Sequence, residues 1–207
     1  PAAESGDPDL PRNAAFAGLD AIGGCDLVIL AVPVSAMVEA IRDLHPHLKP
    51  GTIVADVGSV KMSPATIMQA ELPEHVEIVG THPLFGPQSA RGGIRGRKIA
   101  VCPIRGKSAF RVAAFLKQAL GLRVFLSTPE NHDRDAAIVQ GLTHLIARIL
   151  VRMEPLPRDL TTASFDLLME ATGMVRNDPE TVYRAIEQAN PFAATTRDRF
   201  FEIAAQV

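Results

Sequence analysis

The 207-residue sequence has no tryptophan, one tyrosine and no excess of basic residues; its net charge is −2. Proteins that bind single-stranded nucleic acids need aromatic side chains on which the bases stack. Nucleic-acid-binding domains also concentrate lysine and arginine into a basic surface. Because both features are lacking, we expect no nucleic-acid partner.

Long apolar runs and disulfide frameworks are lacking too. No run of about 18 consecutive apolar residues occurs, so we expect no membrane span, and no basic-then-apolar leader indicates a secretory signal. The two cysteines, Cys25 and Cys102, stand in apolar, strand-like runs. We expect them to be buried, reduced thiols of a cytoplasmic protein.

The residues up to 128 alternate between two kinds of hydrophobic pattern. Short apolar runs bounded by proline or glycine predict buried strands at 26–33, 52–57, 76–80, 99–103 and 123–126. The stretches 35–48, 60–72 and 107–120 have helical spacing, with Phe110, Ala113, Ala114 and Leu116 predicted to face inward. This alternation predicts an α/β fold with an open, parallel sheet and crossover connections.

After Pro129 the pattern is helical to the last residues. It predicts helices at 131–153, 165–176, 179–188 and 192–206, the first with an apolar side made of Ile138, Leu142, Leu145, Ile146, Ile149 and Leu150. We therefore divide the chain into an α/β domain, 1–128, and an all-α domain, 129–207. The apolar stripes exceed what a small bundle can bury, which predicts a homodimer formed through these helices.

Three predicted strands end in segments that can carry chemistry: AVPV at 31–34, DVGSVK at 56–61 and GTHPLFGP at 80–87. Doubly wound sheets bind ligands beyond the carboxyl ends of their strands, so we expect the three segments to share one crevice. His82, predicted to lie in a stiff loop at 81–87, is the candidate base because imidazole accepts a proton near neutral pH. The Ser59 hydroxyl could orient it; a histidine satisfied by loop carbonyls is the alternative. The His45-Pro46-His47 run lacks further ligands at metal spacing, so we expect no metal.

These segments resemble the prephenate and arogenate dehydrogenase family of tyrosine biosynthesis, an oxidoreductase family. The stretch from His132 to His144 is similar to the first long helix of that family's dimerisation domain, and the resemblance covers roughly residues 20–190. It implies an incomplete Rossmann-like domain followed by an all-α dimerisation domain. The implied reaction is the oxidative decarboxylation of prephenate to 4-hydroxyphenylpyruvate, or of arogenate to tyrosine, with NAD or NADP as cofactor.

The resemblance also implies roles for single residues. His82 accepts the proton of the substrate's ring hydroxyl, and Ser59 supports that hydroxyl and the histidine. His144 lines the substrate pocket, with Gln140 one turn earlier on the same helical face; a polar cap on a buried helix is the alternative for Gln140. His132 and Asp133 are expected to stabilise the domain junction. The implied cofactor contacts are Ala31, Val32, Pro33, Asp56, Gly58 and Ser59.

The sequence departs from the family in two respects. No G-x-G-x-x-G turn joins a strand to a helix, so we expect either that the sequence begins late or that the natural protein has lost this loop. Many relatives carry an arginine where this chain has Gly173. We expect Arg176, one turn later, to bind the substrate carboxylates, and Arg148 and Arg152 are alternatives.

Other functions stay open at this point. The chain could be a catalytically inactive dimerising module that binds prephenate-like acids without turnover, which the missing glycine loop favours. It could also oxidise an amino-substituted prephenate. A different Rossmann-type dehydrogenase, acting on 3-hydroxyacids, would need a lysine on the first long helix after residue 128, and 131–150 contains none.

Overall fold

The computed structural model describes residues 14–86 and 89–207, so Pro87, the last residue of the GTHPLFGP segment, lies outside the described residues. Five strands form one sheet, in the order in which they occur along the chain. They are β1 (Leu27–Leu30), β2 (Ile53–Asp56), β3 (Glu77–Pro83), β4 (Lys98–Arg105) and β5 (Arg123–Leu126).

The α/β class is confirmed, but the prediction that all the strands are parallel is wrong for one pair. β1, β2 and β3 run parallel, β4 is antiparallel to β3, and β5 is parallel to β4. Parallel neighbours need a long crossover, usually a helix. The connection from β3 to β4 contains no helix in its described part, whereas α3 (Ala109–Gln118) joins β4 to β5.

Strand β3 is longer than predicted, and this changes the setting of His82. The antiparallel partner β4 pairs with β3 as far as Pro83, with His82 opposite Ala100. His82 is therefore a strand residue and not a loop residue, as we predicted. Its side chain is 3% exposed, so the sheet holds it in a fixed, buried position.

Helices cover both faces of the sheet. On one face, α1 (Met37–Leu44) and α2 (Met62–Glu71) enclose a core that includes Met37, Ile41, Val54, Met68 and Ile78. On the other face α3 buries Ala109 and Val112, with Ala113 and Leu116 packed against the same core. The predicted inward side of α3 was partly wrong, because Phe110 is 64% exposed and Ala114 is exposed as well. Both cysteines are free thiols; Cys102 is buried in β4, whereas Cys25 is exposed because it precedes β1.

From Pro129 onward the described chain is helical. α4 (Pro129–Ala136) continues through a π-helical turn, Ala137–Leu142, directly into α5 (Thr143–Arg152). There follow α6 (Ala163–Val175), α7 (Glu180–Arg184), a second π-helical turn over Ala185–Ala189, and α8 (Ala193–Ala204). Thr128 and Thr162 start α4 and α6 by accepting the backbone N–H groups of Asn131 and Phe165.

The predicted apolar side of the long helix from Pro129 to Arg152 is only partly buried, with Leu142, Leu145, Ile146 and Leu150 half-buried. Ile138 is 53% exposed and Ile149 is exposed too. The buried positions carry small or polar side chains instead: His132, Asp133, Ala136, Ala137, Gly141, His144 and Ala147. Nowhere in the described chain is a helix long and apolar enough to span a membrane.

Candidate functional site

Asp133 on α4 fastens the helical part of the chain to the first turn of α2. Its Oδ1 accepts the backbone N–H of Lys61 at 2.7 Å, and its Oδ2 accepts that of Met62 at 2.8 Å. These two N–H groups begin α2 and have no partner within that helix, so the carboxylate caps it. The Asn190 side-chain amide donates to the backbone carbonyl of Asp133 at 2.8 Å. The junction is thus held by buried hydrogen bonds from both sides, the role expected of Asp133.

A row of three side chains crosses this junction. The Nδ1 of His82 lies 2.9 Å from the Nε2 of His132, and the Nδ1 of His132 lies 2.8 Å from the Oδ1 of Asp133. All three side chains are buried. Burial, and then electrostatic interactions with His132 and Lys61, lower the pKa of His82 from 6.5 to about 3, so its ring is neutral at neutral pH.

Beneath this row, a fully buried ion pair shapes the turn that follows β2. The Lys61 ammonium pairs with the Asp56 carboxylate and donates to the carbonyl of Thr81 at 2.7 Å, while the backbone N–H of Gly58 donates to Asp56 at 2.9 Å. Burial raises the pKa of the Asp56 carboxyl and lowers that of the Lys61 amine, against the attraction of the pair. A Cβ atom at Gly80 would approach the Lys61 side chain to 3.2 Å, so a glycine there makes room for the lysine.

A cavity of about 240 Å³, which we call the strand-end cavity, opens where β1 and β2 end. Its walls are residues 31–34, residues 57–59, and Thr181, Val182 and Ala185. Of the predicted cofactor residues, Ala31, Val32, Pro33, Gly58 and Ser59 line it, whereas Asp56 is fully buried behind it. Its position beyond the ends of parallel strands is where doubly wound sheets hold nucleotides, so these residues fit a nicotinamide cofactor.

A second cavity, of about 280 Å³, lies among the helices and is called here the arginine cavity. Its lining includes His144, Arg148, Arg152, Arg176, Asp178 and Tyr183. Most of its histidine and arginine side chains already have a protein carboxylate as partner. His144 Nε2 lies 3.1 Å from Asp178, Arg148 lies 3.6 Å from Glu180, and Arg176 holds Glu154 through two hydrogen bonds of 2.5 and 2.8 Å.

Arg152 differs from the other cations of the arginine cavity. It makes no ion pair with any residue in the described part of the chain. Arg148 is further occupied by the Tyr183 ring, whose centroid lies 3.8 Å from the guanidinium carbon. Arg152 is therefore the cation of this cavity that an anionic ligand could reach without displacing a protein group.

The predicted site residues lie in three adjoining places and not in one pocket. Ser59 lines the strand-end cavity, His82 belongs to the buried row, and His144 and Arg176 line the arginine cavity. Helix α7 separates the two cavities, with Thr181 and Val182 facing one and Glu180 and Tyr183 facing the other.

Two predicted site residues, His82 and Gln140, make hydrogen bonds other than those expected. The hydrogen-bond partner of His82 is His132, and no bond from Ser59 to His82 occurs among the residues described. Gln140 meets His144 through its backbone carbonyl, at 3.0 Å. Its side-chain oxygen is buried and finds no hydrogen-bond partner in the described chain.

Sequence reasoning missed two functional contacts. Asp178 was assigned no functional role, but its carboxylate contacts His144, 34 residues away. Lys61 stood in a quoted motif without a role, although a carboxylate five residues earlier on the same tight turn was a signal for a local ion pair.

Comparison with known proteins gives a consistent set of relatives. The profile of the family described as prephenate dehydrogenase, nucleotide-binding domain, matches residues 9–125. A probable arogenate/prephenate dehydrogenase of Methanocaldococcus jannaschii is 30% identical over 80% of this chain and 39% of its own length. The cyclohexadienyl dehydrogenase of Zymomonas mobilis is 35% identical over 65% of this chain and 48% of its own length.

Other relatives cover more of the chain. The 4-amino-4-deoxyprephenate dehydrogenase of Streptomyces pristinaespiralis is 29% identical over 93% of this chain and 65% of its own length. The chain thus spans less than two thirds of the length of each of these curated relatives. The crystal structure of prephenate dehydrogenase from A. aeolicus, in complex with hydroxyphenyl propionate and NAD+, superposes with a TM-score of 0.70 at 23% identity, covering 92% of this chain and 71% of that one. This similarity establishes a shared fold.

Proposed function

This chain belongs to the prephenate dehydrogenase family, and from that premise we propose that it is part of an NAD- or NADP-dependent oxidoreductase. The reaction is the oxidative decarboxylation of prephenate to 4-hydroxyphenylpyruvate, or of arogenate to tyrosine. One observation carries the proposal: a buried, neutral imidazole, His82, is fixed on the sheet where the α/β part meets the helices.

In this reaction His82 is the general base. The proton of the ring hydroxyl passes to its Nε2, which makes no hydrogen bond to any described residue. As the O–H bond breaks, a carbonyl forms at C4 and the hydrogen on C4 leaves with its electron pair; a bound nicotinamide supplies the hydride acceptor. The bond from C1 to the carboxylate then breaks, carbon dioxide leaves, and the electron pair completes the aromatic ring. His82 returns its proton to the phenolate oxygen, so the base is regenerated.

The two cavities divide the remaining tasks. Ala31–Pro33, Gly58 and Ser59 would hold a bound nicotinamide cofactor, which would supply the hydride acceptor, and Ser59 also supports the substrate hydroxyl. The arginine cavity receives the substrate carboxylates, which buried sites pair with cations. Arg152 and Arg176 are the cations, His144 lines the same cavity, and Gln140 lies one turn before His144. Holding both reactants in fixed relative positions supplies the orientation that hydride transfer requires.

We propose further that the boundary between the two domains lies near residue 128 and that the helical domain forms a homodimer. The support is a set of exposed apolar side chains on the helices: Ile138, Val139, Ile149, Met153, Leu167 and Met174. Such a surface is typical of a subunit interface. A cytoplasmic location fits the two free thiols.

Assaying the complete gene product with both substrates and both cofactors tests the function. We expect reduced cofactor and carbon dioxide to form in equal amounts with one of the two substrates. A His82→Asn variant should fold and keep its oligomeric state while kcat falls by about 10²–10⁴-fold, the usual contribution of a general base. Turnover of the variant within a few-fold of wild type would remove His82 from the mechanism. Binding of both ligands without turnover by the wild type would identify an inactive binding module.

A further inference from the structure

Asp133, at one end of the buried row, fixes the direction of the hydrogen bonds along it. A backbone N–H can only donate, so the carboxylate accepts from Lys61 on one oxygen and from Met62 on the other. The Nδ1 of His132, 2.8 Å from Oδ1, therefore faces an acceptor. It must carry a hydrogen and donate it.

Because His132 donates to the Asp133 carboxylate, the nitrogens that carry a hydrogen in the two imidazoles can be assigned in turn. A neutral imidazole has one N–H donor and one bare acceptor nitrogen. When His132 is neutral, the hydrogen on its Nδ1 leaves Nε2 bare, and Nε2 accepts. The nitrogen that faces it at 2.9 Å, Nδ1 of His82, must then donate. The Nε2 of His82 consequently has a free lone pair.

The opposite tautomer of His82 could not serve the proposed reaction. With its hydrogen on Nε2 the ring would present a donor, and it could not accept the proton of a hydroxyl. Ser59 does not make this choice in the described structure, since the observed partner of His82 is His132. The low pKa of His82, about 3, agrees with a ring that carries only one hydrogen.

We propose that His132, backed by Asp133, is a positioning residue that keeps His82 in the Nδ1–H tautomer and so leaves Nε2 as the proton acceptor. The inference rests on the proposed function and adds to it a residue that touches neither substrate nor cofactor. When His82 takes the substrate proton, its Nδ1–H still donates to His132. The Asp133 carboxylate at the far end of the row then offsets the new positive charge.

Nitrogen-15 NMR of the imidazole side chains tests the proposal without reference to turnover, because it distinguishes a protonated ring nitrogen from a bare one. We expect His82 to be the Nδ1–H tautomer in the wild type at neutral pH. In His132→Phe the acceptor is lost, and the Nε2–H form should become populated. His132→Gln keeps an amide oxygen that can accept, so the wild-type tautomer should return. His75→Phe is the matched control, since His75 bonds the Leu48 carbonyl outside the row.

Kinetics of the same proteins provide the second measurement. His132→Phe should lower kcat by about 10²-fold or more while KM stays within a few-fold, and His132→Gln should recover a large part of kcat. A wild-type His82 found as the Nε2–H form would overturn the proposal. The proposal would also be overturned if the tautomer of His82 were unchanged in His132→Phe, or if kcat of His132→Gln were as low as that of His132→Phe. If the tautomers behave as expected but no substrate is oxidised, the proposed function fails while the role of His132 stands.

Discussion

The buried row and the arginine cavity both contain titratable side chains, but the two regions differ in how far these side chains are exposed to solvent. In the row and the ion pair beneath it, His82, Asp133 and Lys61 are almost or fully excluded from solvent. In the arginine cavity the paired carboxylates are partly open, with side-chain exposures of 33% for Asp178 and 59% for Glu180. Water competes with an exposed ion pair and cannot compete with a buried one. We therefore expect the buried row to keep a single arrangement, whereas a ligand can replace the protein carboxylates that pair with side chains of the arginine cavity.

Removing a cation should affect stability strongly in the first region and hardly at all in the second. Lys61→Met leaves the Asp56 carboxylate buried and unpaired, and it should lower the free energy of unfolding by about 3–5 kcal/mol. Urea denaturation measures the change. Arg176→Met, which removes an exposed cation, is the matched control and should leave the denaturation midpoint unchanged. A Lys61→Met protein as stable as the control would show that the two regions do not differ.

The buried row should also make stability depend on pH. The pKa of His82 falls from 6.5 to about 3 on folding, chiefly because of burial. Between these values the unfolded state binds a proton that the folded state does not, so stability declines as the pH is lowered. The free energy of unfolding should drop by up to about 1.4 kcal/mol per pH unit in this range.

Denaturation at a series of pH values isolates this contribution. His82→Asn should have a shallower slope than the wild type below pH 6.5, whereas His75→Asn, outside the row, should keep the wild-type slope. Equal slopes for wild type and His82→Asn would mean that His82 titrates normally in the folded protein.

Within the arginine cavity, the largest expected effect belongs to Arg152. Arg152→Ala should raise KM by about tenfold, as expected for one lost hydrogen bond to a charged group, and should leave kcat nearly unchanged. Arg199→Ala, on the exposed face of α8, is the control. A change in kcat with KM constant would place Arg152 in the chemistry and not in carboxylate binding.

The smallest expected effect concerns a protein carboxylate that competes with the substrate. Glu154→Gln weakens the hold on Arg176, so KM should fall by a few-fold, as the modest strength of exposed pairs implies. Glu187→Gln, which weakens a pair with Arg197 elsewhere on the helices, is the matched control. A rise in KM would show that Glu154 orients Arg176 for the substrate and does not compete with it.

The sequence was informative wherever function depends on residues close together in the chain. The ends of the first two strands were predicted from apolar runs and stop signals, and residues 31–34 and 57–59 at these ends do line one cavity. His144, Arg148 and Arg152 recur at intervals of four residues, which puts them on one helical face, and all three line the arginine cavity. Such predictions need only the helical or strand period and a turn signal.

Contacts between residues far apart in the chain could not be predicted from the sequence. The antiparallel pairing of β3 with β4 makes His82 a strand residue, and no local pattern shows which strands pair or in which direction. The bond from His82 to His132 joins residues 50 positions apart. The exposed side of the long helix was also misjudged, because polar side chains at the junction occupy the buried side.

The π-helical turn at Ala137–Leu142 explains how a single helix serves both regions. An ordinary α-helix advances about 100° per residue, so one additional residue rotates everything after it by that angle. His132 precedes the turn and points to the sheet, and His144 follows it and points to the arginine cavity. The wide π-turn takes up one residue more than an α-helical turn would, so a one-residue deletion inside it should restore a plain α-helix and leave His132 and His144 on their present faces. A deletion in the α-helical stretch on either side has no such reserve and would rotate every residue beyond it by about 100°.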